Sequence, residues 1–165
     1  MENNNRDSVL DFQILSLQRE VDNLTKQNQQ LRENEKKFRY FFEKSTDPFL
    51  IIKNFRFVDC NRAALNLLKI NSLEDLFSTH PSSISPEFQP DGKMSMNKAN
   101  EMMDIAIKNG HHSFLWRHTD IHKNEFDVIV SLTPILVENE VLIFTHWTVL
   151  DTIQEFIRLQ FNKQK

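Results

Sequence analysis

The first quarter of the chain carries apolar residues at alternating steps of four and three positions. Such steps repeat every seven residues and are typical of a coiled-coil helix, in which positions a and d face a partner helix. With Ile14 at position a, the a and d positions form a seam of Leu10, Ile14, Leu17, Val21, Leu24, Asn28 and Leu31. β-Branched residues at a with Leu at d favour two parallel helices, and one Asn at a fixes their register. We therefore predict a parallel homodimer through this seam.

The same stretch contains no Gly or Pro before Pro48, so one helix from about residue 8 to residue 45 is expected. At about 1.5 Å per residue it would be roughly 55 Å long. A long helix folded back on its own domain is the alternative. The narrow stripe and the polar Asn28 favour the dimer, whereas Glu35 at a later a position weakens the repeat.

After Pro48 the period changes to that of β-strands. Apolar or alternating runs predict five strands, over residues 49–53, 55–59, 112–119, 125–135 and 141–150. Asn54 and the pairs Lys123-Asn124 and Glu138-Asn139 supply the turns, with Asn standing where Gly is commoner. The pattern therefore indicates an antiparallel sheet built from two groups of hairpin-like strands.

Helical patterns occupy the remaining segments. Asn61 is a candidate N-cap for a helix over 62–68, a short helix is expected near 73–77, and a loop follows it. The next helix has a face of Met96, Ala99, Met103, Ala106 and Ile107 and ends at Gly110. A last helix is expected over residues 152–161, with Ile153, Phe156, Ile157 and Phe161 on one face. We assign the chain to the α+β class, with the sheet covered by helices on one face.

Composition excludes several functions. The chain has only 2 glycines, so it contains none of the glycine-rich phosphate-binding loops, and its single cysteine, Cys60, cannot form an internal disulfide. The net charge is −3, and neither residues 1–47 nor the rest of the chain is basic, so a nucleic-acid surface is not expected. No apolar run is long enough for a membrane span, and the N-terminus is unlike a signal peptide, so we expect a cytoplasmic protein.

Residues 37–150 resemble a PAS domain. The resemblance is carried by residues 38–43 with 47–52, by 57–65, by 85–92 with 114–118 and 132–135, and by the exit signature 149–152. The third set, residues 85–92 with 114–118 and 132–135, looks like the sensory PAS domains of bacterial sensor kinases, cyclic-di-GMP enzymes and chemoreceptors. It implies a five-stranded antiparallel sheet flanked by short helices, preceded by the coiled coil of residues 1–36 and followed by an exit helix over 151–165.

Alternation along the last three strands predicts a cavity between sheet and helices. By similarity to the family, the inward faces carry Phe114 to His118, Phe126 to Leu132 and Val141 to Trp147 at alternate positions. The predicted lining is Phe114, Trp116, His118, Val128, Val130, Thr145, Trp147 and, from the long internal helix, Met103. Such a pocket would take a small apolar ligand, oriented by His118, Thr145 and the indole N–H groups. A core filled by its own side chains is the alternative.

Metal, haem and flavin chemistry have weak support. His111 and His112 are adjacent and point to opposite faces of a strand, so they cannot chelate together. Haem-binding PAS domains use a His on the cavity helix, and residues 96–109 contain none; His80, before Pro81, is the remaining outside candidate. Cys60 ends a strand and lacks the motif of flavin photoreceptors, so an inert, partly buried thiol is expected. No catalytic arrangement is evident, and we predict that the chain is not an enzyme.

The predicted function is that of a signal-transduction sensor module. It would dimerise and relay a small-molecule or partner cue through the coiled-coil and exit helices to a downstream effector of two-component or cyclic-di-GMP signalling. The alternative is a ligand-free structural domain that serves dimerisation or protein interaction.

Overall fold

The computed structural model describes residues 2–77 and 79–151, with the side chains of residues 2–9 and 73 left out. The first element is the helix α1, Glu2–Lys44, whose 43 residues extend beyond the predicted start at residue 8. The chain divides into two units, residues 1–41 and residues 42–165. Most of α1 therefore makes up the first unit.

The seam residues of the first unit are exposed. Leu17 and Leu31 expose 60% and 68% of their surface, and Asn28 is also exposed. Exposure of a regular apolar stripe is costly in water, since each buried Leu or Ile side chain gains roughly 1.5–3 kcal/mol. The seam thus has the character of a surface that another helix would cover.

The second unit is built on one antiparallel sheet. Its strands are β1 (Phe49–Lys53), β2 (Arg56–Cys60), β3 (His112–Thr119), β4 (Glu125–Val137) and β5 (Glu140–Val149). Their spatial order is β2-β1-β5-β4-β3, and every neighbouring pair is antiparallel. The predicted five-stranded sheet is confirmed, with β4 two residues longer than expected and β5 shifted one residue earlier.

Two hairpins turn through residues with positive φ. Asn54 and Phe55 have φ of 50° and 61°, and Glu138 and Asn139 have φ of 48° and 66°. Paired positive φ values match the right-handed twist of the flanking strands, which makes tight hairpins possible. The prediction that Asn replaces Gly at these turns is confirmed, whereas Phe55 is an unusual occupant of this region.

Short helices connect the strands. The helix α2 spans Arg62–Leu68, 3-10 turns span Leu73–Asp75 and Pro81–Ile84, and α3 spans Ser95–Asn109. The helix predicted over 73–77 is thus a shorter turn, and the loop expected after it contains a second one. Gly110 ends α3 with φ of 79°, as predicted.

The buried face of α3 differs from the predicted one. Ser95, Ala99, Met102, Met103 and Ala106 are its buried residues. Met96 and Ile107, predicted on that face, are 44% and 43% exposed, because at 100° per residue both lie on the same side of the helix, beyond Met103. The helix therefore presents small residues and Met side chains to the sheet, which allows a close approach.

The core lies between the inner face of the sheet and the helices α2 and α3. Trp116, Val128, Leu132 and Trp147 are buried, which confirms the inward alternation of the last three strands. The prediction that Val141 faces inward is wrong. Val141 is 41% exposed at the beginning of β5, where the sheet extends past the core.

The predicted exit helix, residues 151–165, lies beyond Asp151, outside the described residues. The same holds for its apolar face and for Thr152 of the exit signature. Among the residues that the structure describes, no helix has both the length and the apolar character needed to cross a membrane.

Candidate functional site

A cavity of about 30 Å³ lies between the sheet and the helices of the second unit. Its lining consists of Ile52, Phe57, Pro81, Ala99, Met103, Phe114, Trp116, His118, Val130, Leu132, Thr145 and Trp147. Since one water needs roughly 10–15 Å³ of such space, the cavity has room for about two waters or a guest of about three non-hydrogen atoms.

Seven of the eight predicted site residues line this cavity. They are Phe114, Trp116, His118, Val130, Thr145, Trp147 and Met103. Val128 is fully buried in the core but does not line the cavity. The sequence reasoning missed the contributions of Ile52, Phe57 and Pro81; the first two alternate inward on β1 and β2, which is the signal that would have placed them.

His118 has one engaged ring nitrogen and one free one. Its Nδ1 lies 3.0 Å from the carbonyl oxygen of Ile84 and 3.3 Å from Oγ of Ser85. A carbonyl oxygen only accepts, so Nδ1 carries the hydrogen and donates it. In the neutral ring Nε2 is then an acceptor, and it is buried without a hydrogen-bond partner.

Burial keeps the His118 ring neutral. Desolvation lowers the pKa of His118 to about 3, against an ordinary value of 6.5, and the hydrogen bond to Ile84 opposes the shift only in part. The ring also stacks on Trp147, with centroids 4.1 Å apart. At neutral pH an uncharged imidazole therefore lies in the cavity lining among apolar side chains.

Thr145 is the second polar side chain without a partner. Its side chain lies on the inner face of β5, where it pairs with Leu50 of β1 and Leu132 of β4. The hydroxyl oxygen is buried and has no hydrogen-bond partner. Within residues 2–77 and 79–151, the buried polar side-chain atoms left unpaired are this oxygen and Nε2 of His118, and both residues line the cavity.

Ser85 connects two residues of the cavity lining, Trp116 and Pro81, through hydrogen bonds. The indole Nε1 of Trp116 donates to Oγ of Ser85 at 3.0 Å, and that hydroxyl donates to the carbonyl of Pro81 at 3.1 Å. The predicted role of the Trp116 indole as an orienting donor changes accordingly, because its hydrogen is already engaged.

Asn61 is also a buried polar residue, but both polar atoms of its side chain are hydrogen-bonded. Its Nδ2 donates to the carbonyls of Phe42 and Asp47, and its Oδ1 accepts from the amides of Phe49 and Ala64. The side chain thereby makes four hydrogen bonds, its full capacity. The predicted N-cap is confirmed, and the further bonds join the end of α1 to the start of β1.

Gln89 has a structural role that the sequence did not indicate. Its side-chain amide donates to the carbonyl of Arg117 and accepts from the amide of the same residue. A second hydrogen of the amide reaches Oγ of Ser95. Gln89 therefore pairs with the outer edge of β3 as a neighbouring strand would.

The other sequence candidates have structural partners. Nδ1 of His80 accepts from the amide of Ser82, and its Nε2 lies 2.9 Å from Oδ1 of Asn100. Cys60 is buried, and burial, followed by the charges of Asp59 and Glu43, raises the pKa of its thiol to about 12. Among the described residues, no group of three His, Cys, Asp or Glu is arranged to hold a metal ion.

Comparisons with known proteins agree with this architecture. A family model described as a PAS domain matches residues 36–102. The PAS domain of a two-component sensor histidine kinase is similar, with a TM-score of 0.58, 18% identity, and coverage of 72% of this chain and 98% of that one. The PAS domain of an HTR-like protein from Haloarcula marismortui has a TM-score of 0.64 and 12% identity, covering 76% and 99%.

A third similar structure is a PAS domain in complex with ethanol, from a LuxR-family transcriptional regulator of Burkholderia thailandensis. Its TM-score is 0.55 at 12% identity, with coverage of 69% of this chain and 97% of that one. No curated protein matches the chain. Residues 36–102 match the PAS family model, and the five-stranded fold is shared with these PAS domains, so a PAS domain is identified in the chain, as its sequence predicted.

Proposed function

We propose that this chain is a signal-sensing module in which a small guest in the cavity biases the packing of the PAS domain. The bias would pass through α1 of a parallel dimer to an effector outside this chain. Sensing is the established role of PAS domains in sensor kinases and regulators, and the family match supports it here. The observation that carries the proposal is the cavity with its two unpaired polar atoms.

The unpaired atoms favour a ligand site over a filled core. A buried polar group without a partner costs roughly 1–3 kcal/mol, so an arrangement that serves stability alone would satisfy or remove it. Two such atoms, on residues that line one small cavity, are the arrangement expected where a guest completes the hydrogen bonds.

The exposed seam supports the dimer. Its seven residues follow the heptad positions without a break, and Asn28 is the polar residue among the a positions of this seam, which favours two parallel helices in one register. Glu35 weakens the repeat at an a position, and Phe42, at the next a position, is buried in the second unit, so the coiled coil is proposed for residues 1–36 only.

A chain of contacts within the second unit supports the relay. Thr145 of the cavity pairs with Leu50 of β1, whose neighbour Phe49 stacks on Phe42 with centroids 6.3 Å apart. Asn61 bonds both the carbonyl of Phe42 and the amide of Phe49. A guest that moves β5 against β1 would therefore act on the last turn of α1.

The dimer is tested by charging the seam. Leu17→Asp combined with Leu24→Asp should convert the dimer into a monomer in light scattering, because two charges per helix would face their copies. Ser16→Asp with Asn23→Asp is the matched control, since it adds the same charges one position away from the seam. An unchanged mass for the seam variant would refute the dimer.

The relay is tested by a spin label on α1. Because Cys60 is buried with a raised pKa, Asn23→Cys provides a selectively labelled site. Ethanol in the cavity should change the distance between the two labels of the dimer, and the same titration of a Met103→Trp variant, with the cavity filled, should not. Equal distances with and without ethanol would contradict the relay.

The ligand-free structural domain is the second candidate. The small volume of the cavity favours it, because the core side chains already fill most of the space. Two results would support this candidate over the sensor. Native mass spectrometry of the freshly purified dimer would detect no bound guest, and the Met103 methyl group would not respond to small guests.

A further inference from the structure

His118 restricts what the cavity can bind. The carbonyl of Ile84 fixes the hydrogen of the ring on Nδ1, so Nε2 offers a lone pair and nothing else. A guest atom that approaches Nε2 must therefore bring a hydrogen. A guest with only acceptor atoms would leave Nε2 unpaired and place two lone pairs against each other.

We propose that the cavity selects a neutral hydrogen-bond donor of about three non-hydrogen atoms, a small alcohol, whose hydroxyl donates to Nε2 of His118. This inference rests on the proposed function, since it names the chemical class of the guest in the same cavity. It makes His118 the specificity-determining residue.

The volume of the cavity and its uncharged lining limit the class of guest further. The volume of about 30 Å³ excludes larger metabolites from the cavity as it stands. Its lining is almost wholly apolar, and the imidazole is uncharged at neutral pH because burial lowers the pKa of His118 to about 3. An anion would lose its hydration without gaining a counter-charge, so carboxylates are rejected.

Thr145 adds a polar contact without changing the preference for a guest that donates a hydrogen bond. Its hydroxyl both donates and accepts, so it tolerates a donor, an acceptor or an amphoteric group. Its partners on β1 and β4, Leu50 and Leu132, are apolar. The discrimination between donor and acceptor guests therefore depends on His118 alone.

Three probes with the same number of non-hydrogen atoms test the proposal on the full chain. Ethanol donates and accepts, its isomer dimethyl ether only accepts, and formate is a charged acceptor. We expect ethanol to bind about tenfold more tightly than dimethyl ether, the ratio that one buried hydrogen bond supports, and formate not to bind.

Methionine methyl resonances report the binding. The protein contains 5 Met residues, of which Met103 lines the cavity while Met96 is exposed on the same helix. Ethanol should shift the Met103 methyl signal and leave that of Met96 in place. The ¹⁵N resonance of Nε2 should begin as that of an unprotonated nitrogen and move upfield as it accepts a hydrogen bond.

Two substitutions separate the acceptor from the rest of the ring. His118→Asn places an amide nitrogen near the position of Nδ1, which keeps the bond to Ile84 and removes Nε2. His118→Gln places an amide oxygen near the position of Nε2 and restores an acceptor. The preference for ethanol over dimethyl ether should disappear in the Asn variant and return in the Gln variant.

The outcomes distinguish this inference from the proposed function. If ethanol and dimethyl ether bind equally well, the cavity is a ligand site but the donor rule is wrong. If Nε2 is already hydrogen-bonded and ethanol leaves it unchanged, a resident water satisfies it and the proposal is overturned. If none of the three probes shifts Met103, the small-guest sensor itself fails, and the inference with it.

Discussion

Two sets of buried polar groups in the same domain differ in how completely they are bonded. Asn61 and Gln89 are almost fully buried, and their side-chain amides make four and three hydrogen bonds to surrounding groups. His118 and Thr145 are equally buried, yet each keeps one polar atom without a partner. The difference is one of bonding and not of exposure.

The comparison distinguishes buried polar groups that stabilise the fold from buried polar groups that are candidates for binding a guest. A satisfied amide stabilises the connections between elements, so its removal leaves backbone groups stranded. An unpaired atom contributes nothing to stability and persists at a cost, which points to a partner outside the chain. Removing a satisfied amide should therefore lower the free energy of unfolding, whereas removing the unpaired hydroxyl of Thr145 should raise it.

Asn61→Ala should give the largest effect, a loss of about 3 kcal/mol. The carbonyls of Phe42 and Asp47 and the amides of Phe49 and Ala64 lose the hydrogen bonds that Asn61 makes to them, and the bonds to Phe42 and Ala64 are buried. Urea denaturation measures the change. Asn66→Ala, at an exposed position of α2, is the control and should leave stability nearly unchanged; a similar loss in both variants would remove the distinction.

Gln89→Leu should cost about 2 kcal/mol, because the amide and carbonyl of Arg117 lose their partner at the sheet edge. Hydrogen exchange of the Arg117 amide should accelerate. Lys93→Ala, which removes only an exposed ion pair with Glu101 in the same segment, should leave that exchange rate as it was. Unchanged protection in the Gln89 variant would contradict the role assigned to this side chain.

His118 should make stability fall with acid. Its pKa is about 3 in the folded protein and 6.5 in the unfolded chain, so between these pH values only the unfolded chain takes the proton. The free energy of unfolding then falls by up to about 1.4 kcal/mol for each unit that the pH decreases below 6.5. Above pH 6.5 this loss of stability is absent. Urea denaturation at several pH values should show a shallower slope for His118→Asn.

The exposed His122 supplies the control for this slope. His122→Asn removes an exposed imidazole and leaves the buried ring of His118 in place, so the slope due to His118 should persist in this variant. If the His118 and His122 variants lose slope equally, the acid sensitivity does not come from the cavity.

Thr145→Val should give the smallest effect and the opposite sign. Replacing an unpaired hydroxyl by a methyl group of similar size should stabilise the domain by about 1 kcal/mol. Thr148→Val, on the outer face of the same strand, should change little. A destabilised Thr145 variant would mean that the hydroxyl has a partner after all.

Periodicity predicted the fold well because alternation directly encodes which face of a strand is buried. The bounds of β3 and α2 match the predicted ranges, and alternation placed His118 and Thr145 on the inner face. Predictions of absent cofactors and of the domain limits at residues 36 and 150 remain predictions.

The polar partners were beyond the reach of sequence reasoning. Whether Nε2 of His118 is free depends on the position of the Ile84 carbonyl, 34 residues away along the chain. Gln89 meets Arg117 at a separation of 28 residues. Such pairings arise from tertiary placement of loops, which no local periodicity describes.

The pairing of Gln89 with the backbone of Arg117 also bears on solubility. β3 is a terminal strand of the sheet, and a terminal strand offers free peptide groups on which a strand from another molecule can assemble. At Arg117 both groups are occupied by a side chain of the same molecule. The domain thus blocks intermolecular sheet extension at this point, and a crowded solution of the protein is protected there from the first step of aggregation.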